Sequence, residues 1–150
     1  MKKWVLFPVI CLLLCGCVFP RDPVLEAFPG LGEGQVWTSC GFQDYTDYGK
    51  YTYSGITSEM LENNQYLQPV TQEDIPTLLE ILKDYEGWLE WEQNCEDCEV
   101  AEHYDFSADK IRAGDYFYLY FKYPDWPMSN YDLYYFSVEN QTLYFFHNNI

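Results

Sequence analysis

Two cysteines spaced as Cys95-Glu96-Asp97-Cys98 are the densest chemical signal in the chain. Such a pair can do three things. As a redox couple it needs a stabilised thiolate, which a helix N-terminus or nearby cations provide. Here Glu92, Glu96, Asp97 and Glu99 surround the pair and oppose that ionisation, and no strand–CxxC–helix context frames it. As part of a zinc site it needs four ligands, for which Cys95, Cys98, His103 and Cys40 are available, although a second CxxC pair is missing. As structural thiols, the cysteines pair with one another outside the cytoplasm: either Cys95 closes on Cys98, or Cys40 bridges to one of them.

The second candidate is aromatic. Tyr116, Tyr118, Tyr120, Tyr135, Tyr144 and Phe146 are expected to share a sheet face, with Trp126 in an adjoining loop. An exposed face of this kind stacks on sugars or anchors a protein partner. The alternative is that the first strand or the amino-terminal segment covers it as a second core layer. No carboxylate pair for hydrolysis stands out among 24 acidic residues, and G-x-S-x-G, HExxH, phosphate-loop and EF-hand patterns are absent. His103 and His147 read as ordinary polar residues of a loop and a strand end. No cofactor is called for. Three classes of function remain, a non-catalytic binding module first, then an extracytoplasmic thiol or zinc protein, then a small hydrolase with unrecognised carboxylates.

The amino terminus carries an address. Met1-Lys2-Lys3 is followed by an apolar run from Trp4 to Leu14, the layout of a secretory signal. The uncharged stretch from Trp4 to Pro20 falls short of the roughly 20 residues that a spanning helix needs, and Pro8 interrupts it. Its end, Leu14-Cys15-Gly16-Cys17, resembles the lipobox of bacterial lipoprotein precursors. That resemblance implies cleavage before Cys17, diacylglycerol on its thiol, and anchoring to the extracytoplasmic face of a bacterial membrane. Two acyl chains suit stable anchoring, because a single chain binds only marginally. Cys15 fits less well as the acceptor, since Leu14 would stand where a small residue belongs. Val18 after the cysteine lacks the aspartate associated with inner-membrane retention in two-membrane bacteria.

The chain has 150 residues and a formal net charge of −16, and loss of Lys2 and Lys3 with the signal makes the mature protein more acidic still. Such a surface repels phosphate backbones and anionic headgroups, which argues against a nucleic-acid partner. Aromatic residues make up 20% of the chain, far from the composition of a disordered segment. The expected organisation is a signal over 1–16, a lipidated tether over 17–34 rich in proline and glycine, and one domain over 35–150.

Within that domain a first strand is expected over 50–56 and a short helical turn from Ser58 to Leu61. The main helix starts behind Asp74 as cap, with Pro76 in the first turn. Ile75, Leu78, Leu79, Leu82, Tyr85 and Leu89 recur at helical spacing. The acidic stretch 90–102 reads as a loop. Strands follow over 115–123, 131–138 and 142–147, the last two joined by a tight turn at Asn140-Gln141. Pairing Val138 with Leu143 puts Phe136 and Phe145 on one face, expected to meet the helix, and Tyr135 and Phe146 on the other. The sum is an α+β domain, one main helix on an antiparallel meander of about four strands.

Overall fold

The centres of the last two long strands are apolar or aromatic on both sides, Leu133, Tyr135, Tyr144 and Phe146 alternating with Tyr134, Phe136, Leu143 and Phe145, so both faces of the sheet they form must be covered. The computed structural model describes residues 22–28, 32–39, 44–92 and 99–150 and shows how this is done. Six antiparallel strands, β1 (Glu33–Thr38), β2 (Tyr45–Thr52), β3 (Gln68–Pro69), β4 (Tyr116–Phe121), β5 (Asn130–Ser137) and β6 (Thr142–Asn149), lie in the order β1-β2-β6-β5-β4-β3. The domain is α+β as expected, with more strands than the four foreseen.

The long helix α3 (Ile75–Glu92) packs on one face of the sheet. Its apolar stripe is Leu78, Ile81, Leu82, Tyr85 and Leu89, all buried, whereas Leu79 turns partly outward. Pro76 sits in the first turn, where its missing N–H costs nothing. Asp74 does not cap in the expected way. Its carboxylate turns back to accept from the Thr71 amide at 2.9 Å and hydroxyl at 2.7 Å, and these bonds hold its pKa below the usual value. The helix runs through Gly87 to Glu92, and a short helix α4 (Glu99–His103) follows, so much of the acidic stretch expected to be a loop is helical.

The opposite face is covered by smaller pieces. Helix α1 (Pro23–Glu26) lays Val24 and, just beyond, Phe28 onto the sheet, with Phe28 5.5 Å from the Phe136 ring and 4.9 Å from that of Tyr53. Helix α2 (Ser58–Glu62), capped by Thr57, adds Leu61, and Leu67 and Ile56 complete this layer. Residues 22–28, expected to be tether, are therefore a layer of the fold, and 33–38 form an edge strand. Apolar Val24, Leu25 and Phe28 outweigh the prolines and glycines around them once an aromatic sheet face is there to receive them.

The β5–β6 hairpin pairs Ser137 with Thr142 and Phe136 with Leu143, two residues away from the expected register, with a four-residue turn over 138–141. Gln141 takes the left-handed region at φ 51°, and its side-chain oxygen accepts from the Ile56 amide at 2.8 Å. A shift of two keeps every side chain on its own face. Phe136 and Phe145 do share a face as expected, but it is the face away from α3. The helix instead meets Tyr131, Leu133, Tyr135, Tyr144 and Phe146.

Candidate binding cleft

Strand β4 reads Tyr-Phe-Tyr-Leu-Tyr-Phe, and alternation sends its two sets of side chains to opposite faces. Phe117, Leu119 and Phe121 go to the α3 side. Tyr116, Tyr118 and Tyr120 go to the other side, where register places them beside Phe136, Tyr134 and Asp132 of β5. The next strand adds Leu143, Phe145 and His147. Along β4 the cover runs out: Tyr116 is 6% exposed, Tyr118 half-buried and Tyr120 48% exposed.

A cleft of about 430 Å³ opens where α1 ends its cover, lined by Asp22, Pro23, Val24, Tyr118, Tyr120, Asp132, Tyr134 and Phe145. Its floor is a run of rings, Tyr118 6.1 Å from Tyr134 and Tyr134 4.7 Å from Phe145. Tyr66 braces Tyr118 edge-on at 5.5 Å. Gly49 on β2 makes room behind the floor, since a Cβ there would stand 3.1 Å from Phe145 Cβ.

Both carboxylates of the cleft are held in place. One oxygen of Asp22 accepts from the Val24 and Leu25 amides at 2.9 and 3.2 Å, capping α1. The other accepts from the Tyr134 hydroxyl at 2.6 Å, tying α1 to β5. Burial, then the Asp22 hydrogen bond, pushes the Tyr134 hydroxyl far up, so it remains a donor. Asp132 places one oxygen 2.6 Å from His147 Nδ1. Asp47, His147 and Asp132 stand abreast on β2, β6 and β5. His147 Nε2 is buried with no hydrogen-bond partner among the described residues, so this imidazole orients Asp132 and does not reach a substrate in the cleft.

The sequence-derived candidates separate on this framework. Tyr118 and Tyr120 line the cleft, while Tyr116 is buried beside it among Leu61, Leu67 and Phe136. Tyr135 and Tyr144 lie on the α3 side and are closed off, 1% and 3% exposed, so the six aromatics do not share a face. The reason is register: Tyr116 pairs with Phe136, which puts odd-numbered Tyr135 beside Phe117. The Tyr135 hydroxyl donates to Asp115 at 2.5 Å and accepts from the Arg112 amide at 2.9 Å. Trp126 is 74% exposed in the turn before β5 and does not line the cleft. His103 stacks on Trp37 at 4.6 Å. Cys17, Cys40, Cys95 and Cys98 lie outside the described residues, and among the described residues no three His, Cys, Asp or Glu side chains gather as metal ligands.

Asp22, Asp132 and Tyr134 were not singled out from sequence, and Phe145 was named only as sharing a face with Phe136. Strand pairing, added to alternation, is what puts Tyr118, Tyr134 and Phe145 on one face. A second, outer cleft of about 570 Å³ runs along α3 between Trp88, Trp91 and Met128, with Glu80, Lys83 and Asp84 of both charge signs on its walls. No helix among the described residues is long and apolar enough to cross a membrane. No protein-family model matches the chain, and neither a curated protein nor a solved structure matches it.

Proposed function

We propose that this chain is a membrane-anchored extracytoplasmic lipoprotein whose folded domain is a non-catalytic binding module, with the ring-floored cleft as its ligand site. The anchoring half rests on Leu14-Cys15-Gly16-Cys17 and the signal-like run before it. The binding half rests on one observation above all: a cleft of about 430 Å³ whose floor is tyrosine and phenylalanine and whose two carboxylates are already oriented. Small-ligand sites are concave, mostly apolar and supplied with a few fixed polar groups. The Asp22 oxygens are taken up by the α1 amides and Tyr134, and His147 is turned to Asp132 with its Nε2 buried. The cleft's polar groups thus serve mainly to hold its shape, which favours binding.

Two measurements test the two halves. Labelled fatty acid enters the wild-type and Cys15→Ser proteins and is absent from Cys17→Ser; label persisting in Cys17→Ser contradicts the anchoring. For the cleft, the tyrosine ring resonances of the purified protein are followed while organic cations, neutral apolar solutes and sugars are added in turn. One of these classes shifts Tyr118, Tyr120 and Tyr134 together. Silence from all of them contradicts the binding site.

A further inference from the structure

We infer that the cleft takes an alkylated ammonium group. This rests on the cleft being a binding site and names its ligand chemistry.

The floor and walls have two kinds of surface. Rings of Tyr118, Tyr120, Tyr134 and Phe145 line the cleft, and aromatic rings attract a cation held over a face within about 6 Å. Carboxylates of Asp22 and Asp132 stand on the walls, and among the described residues no Lys, Arg or His lines the cleft. The described basic side chains lie elsewhere: Lys50 and Lys110 gather on Asp105, Arg112 pairs with Glu139, Lys122 lies over Tyr123, and Lys83 is on the outer side of α3. The net charge of −16 adds a long-range pull on cations.

The kind of cation follows from what is already engaged. Both oxygens of Asp22 are occupied, by the α1 amides and by Tyr134, and one oxygen of Asp132 faces His147. One carboxylate oxygen is left. A calcium ion takes about six to eight oxygen ligands, and a magnesium ion keeps its waters and gains nothing from ring contact, so neither matches a mostly aromatic lining. A weakly hydrated ammonium clothed in methyl groups needs few hydrogen bonds and gains from apolar ring contact. A sugar would need several fixed donors and acceptors, and the Tyr134 hydroxyl is already committed.

Geometry adds a source. Asp22 follows Cys17 by five residues, which fully extended reach at most about 18 Å. A cleft so close to a lipidated cysteine meets either ammonium solutes or the ammonium of lipid headgroups.

The test uses the full mature protein and tyrosine ring resonances. Choline is expected to bind, and 3,3-dimethylbutanol, its uncharged analogue of the same shape, to bind at least about tenfold more weakly. Tyr120→Ala weakens choline by about fivefold with an unchanged near-ultraviolet spectrum, and Asp132→Asn weakens it similarly and flattens the salt dependence. If phosphatidylcholine vesicles bind wild type and lose the Tyr120→Ala protein, the ammonium comes from a lipid; if only free choline binds, it comes from solution. Either result supports the assignment. Equal binding of choline and the neutral analogue, or shifts with sugars alone, overturns it while leaving a binding cleft in place. No shift with any probe overturns both.

Discussion

On the α3 side of the sheet, Tyr131, Leu133, Tyr135, Tyr144 and Phe146 are all at most 3% exposed beneath an 18-residue helix. On the other side, Tyr116, Tyr118 and Tyr120 pass from buried to nearly half exposed within a single strand, beneath helices of four and five residues. The two faces are built from the same residue types. What separates them is the length of the element laid over each. Under α3 the hydroxyls reach carboxylates at the margin of the core, Tyr48 to Asp105 at 2.6 Å, Tyr104 to Glu86 at 2.9 Å and Tyr135 to Asp115 at 2.5 Å. A buried phenol is costly without such a partner, and one bonded to a charged acceptor contributes roughly 1.5–3 kcal/mol. Part of the acidity that sets the net charge therefore serves the interior.

The largest effect is expected at the centre of the closed face. Phe146 is fully buried against Tyr48, Tyr85 and Phe106, and Phe146→Ala should cost about 3–5 kcal/mol in chemical denaturation. A loss below about 1 kcal/mol would mean that this face is not closed. On the other face Phe28→Ala should cost less than about 3 kcal/mol in chemical denaturation, because Phe28 belongs to a short peripheral cover over Tyr53 and Phe136. Tyr135→Phe removes only an oxygen, yet leaves the buried Asp115 carboxylate and the Arg112 amide short of a partner; about 1–3 kcal/mol is expected.

Alkali probes both faces at once. Burial is the first cause raising the hydroxyls of Tyr48, Tyr104, Tyr131, Tyr134 and Tyr135, with neighbouring carboxylates adding to it, and burial also pushes Tyr53 up to about 12. The folded state thus holds these protons more tightly than the unfolded chain, whose tyrosines ionise near 10. Stability is fully present below pH 10 and falls as pH rises above it. Phenolate absorbance at 295 nm should rise together with loss of the near-ultraviolet dichroism. Ionisation of most tyrosines in a still-folded protein would contradict the buried network.

The helix and the strands of the final third were legible in sequence because Leu78, Leu82, Tyr85 and Leu89 keep a helical period and β4 alternates strictly. Two things were not. The covering role of 22–28 was hidden because its prolines and glycines resemble a spacer, and its few apolar residues gain meaning only against Phe136 and Tyr53. The face of each tyrosine was hidden because alternation sorts residues within a strand, and only the pairing of Tyr116 with Phe136 links one strand's parity to the next. The cleft inherits both problems, since Asp22 comes from the apparent spacer and Tyr134 and Phe145 from paired strands.

The two faces are compared most directly by the paired melting curves and choline titrations of Tyr120→Ala and Tyr135→Ala. Tyr120→Ala is expected to stay within about 0.5 kcal/mol of wild type and to lose choline affinity, as an exposed side chain at a binding site should. Tyr135→Ala is expected to lose about 3–5 kcal/mol, as a large buried ring should, and to keep choline affinity wherever it remains folded. Equal losses of stability from the two changes, or choline binding unaltered by Tyr120→Ala, would contradict a closed face and an open one on the same sheet.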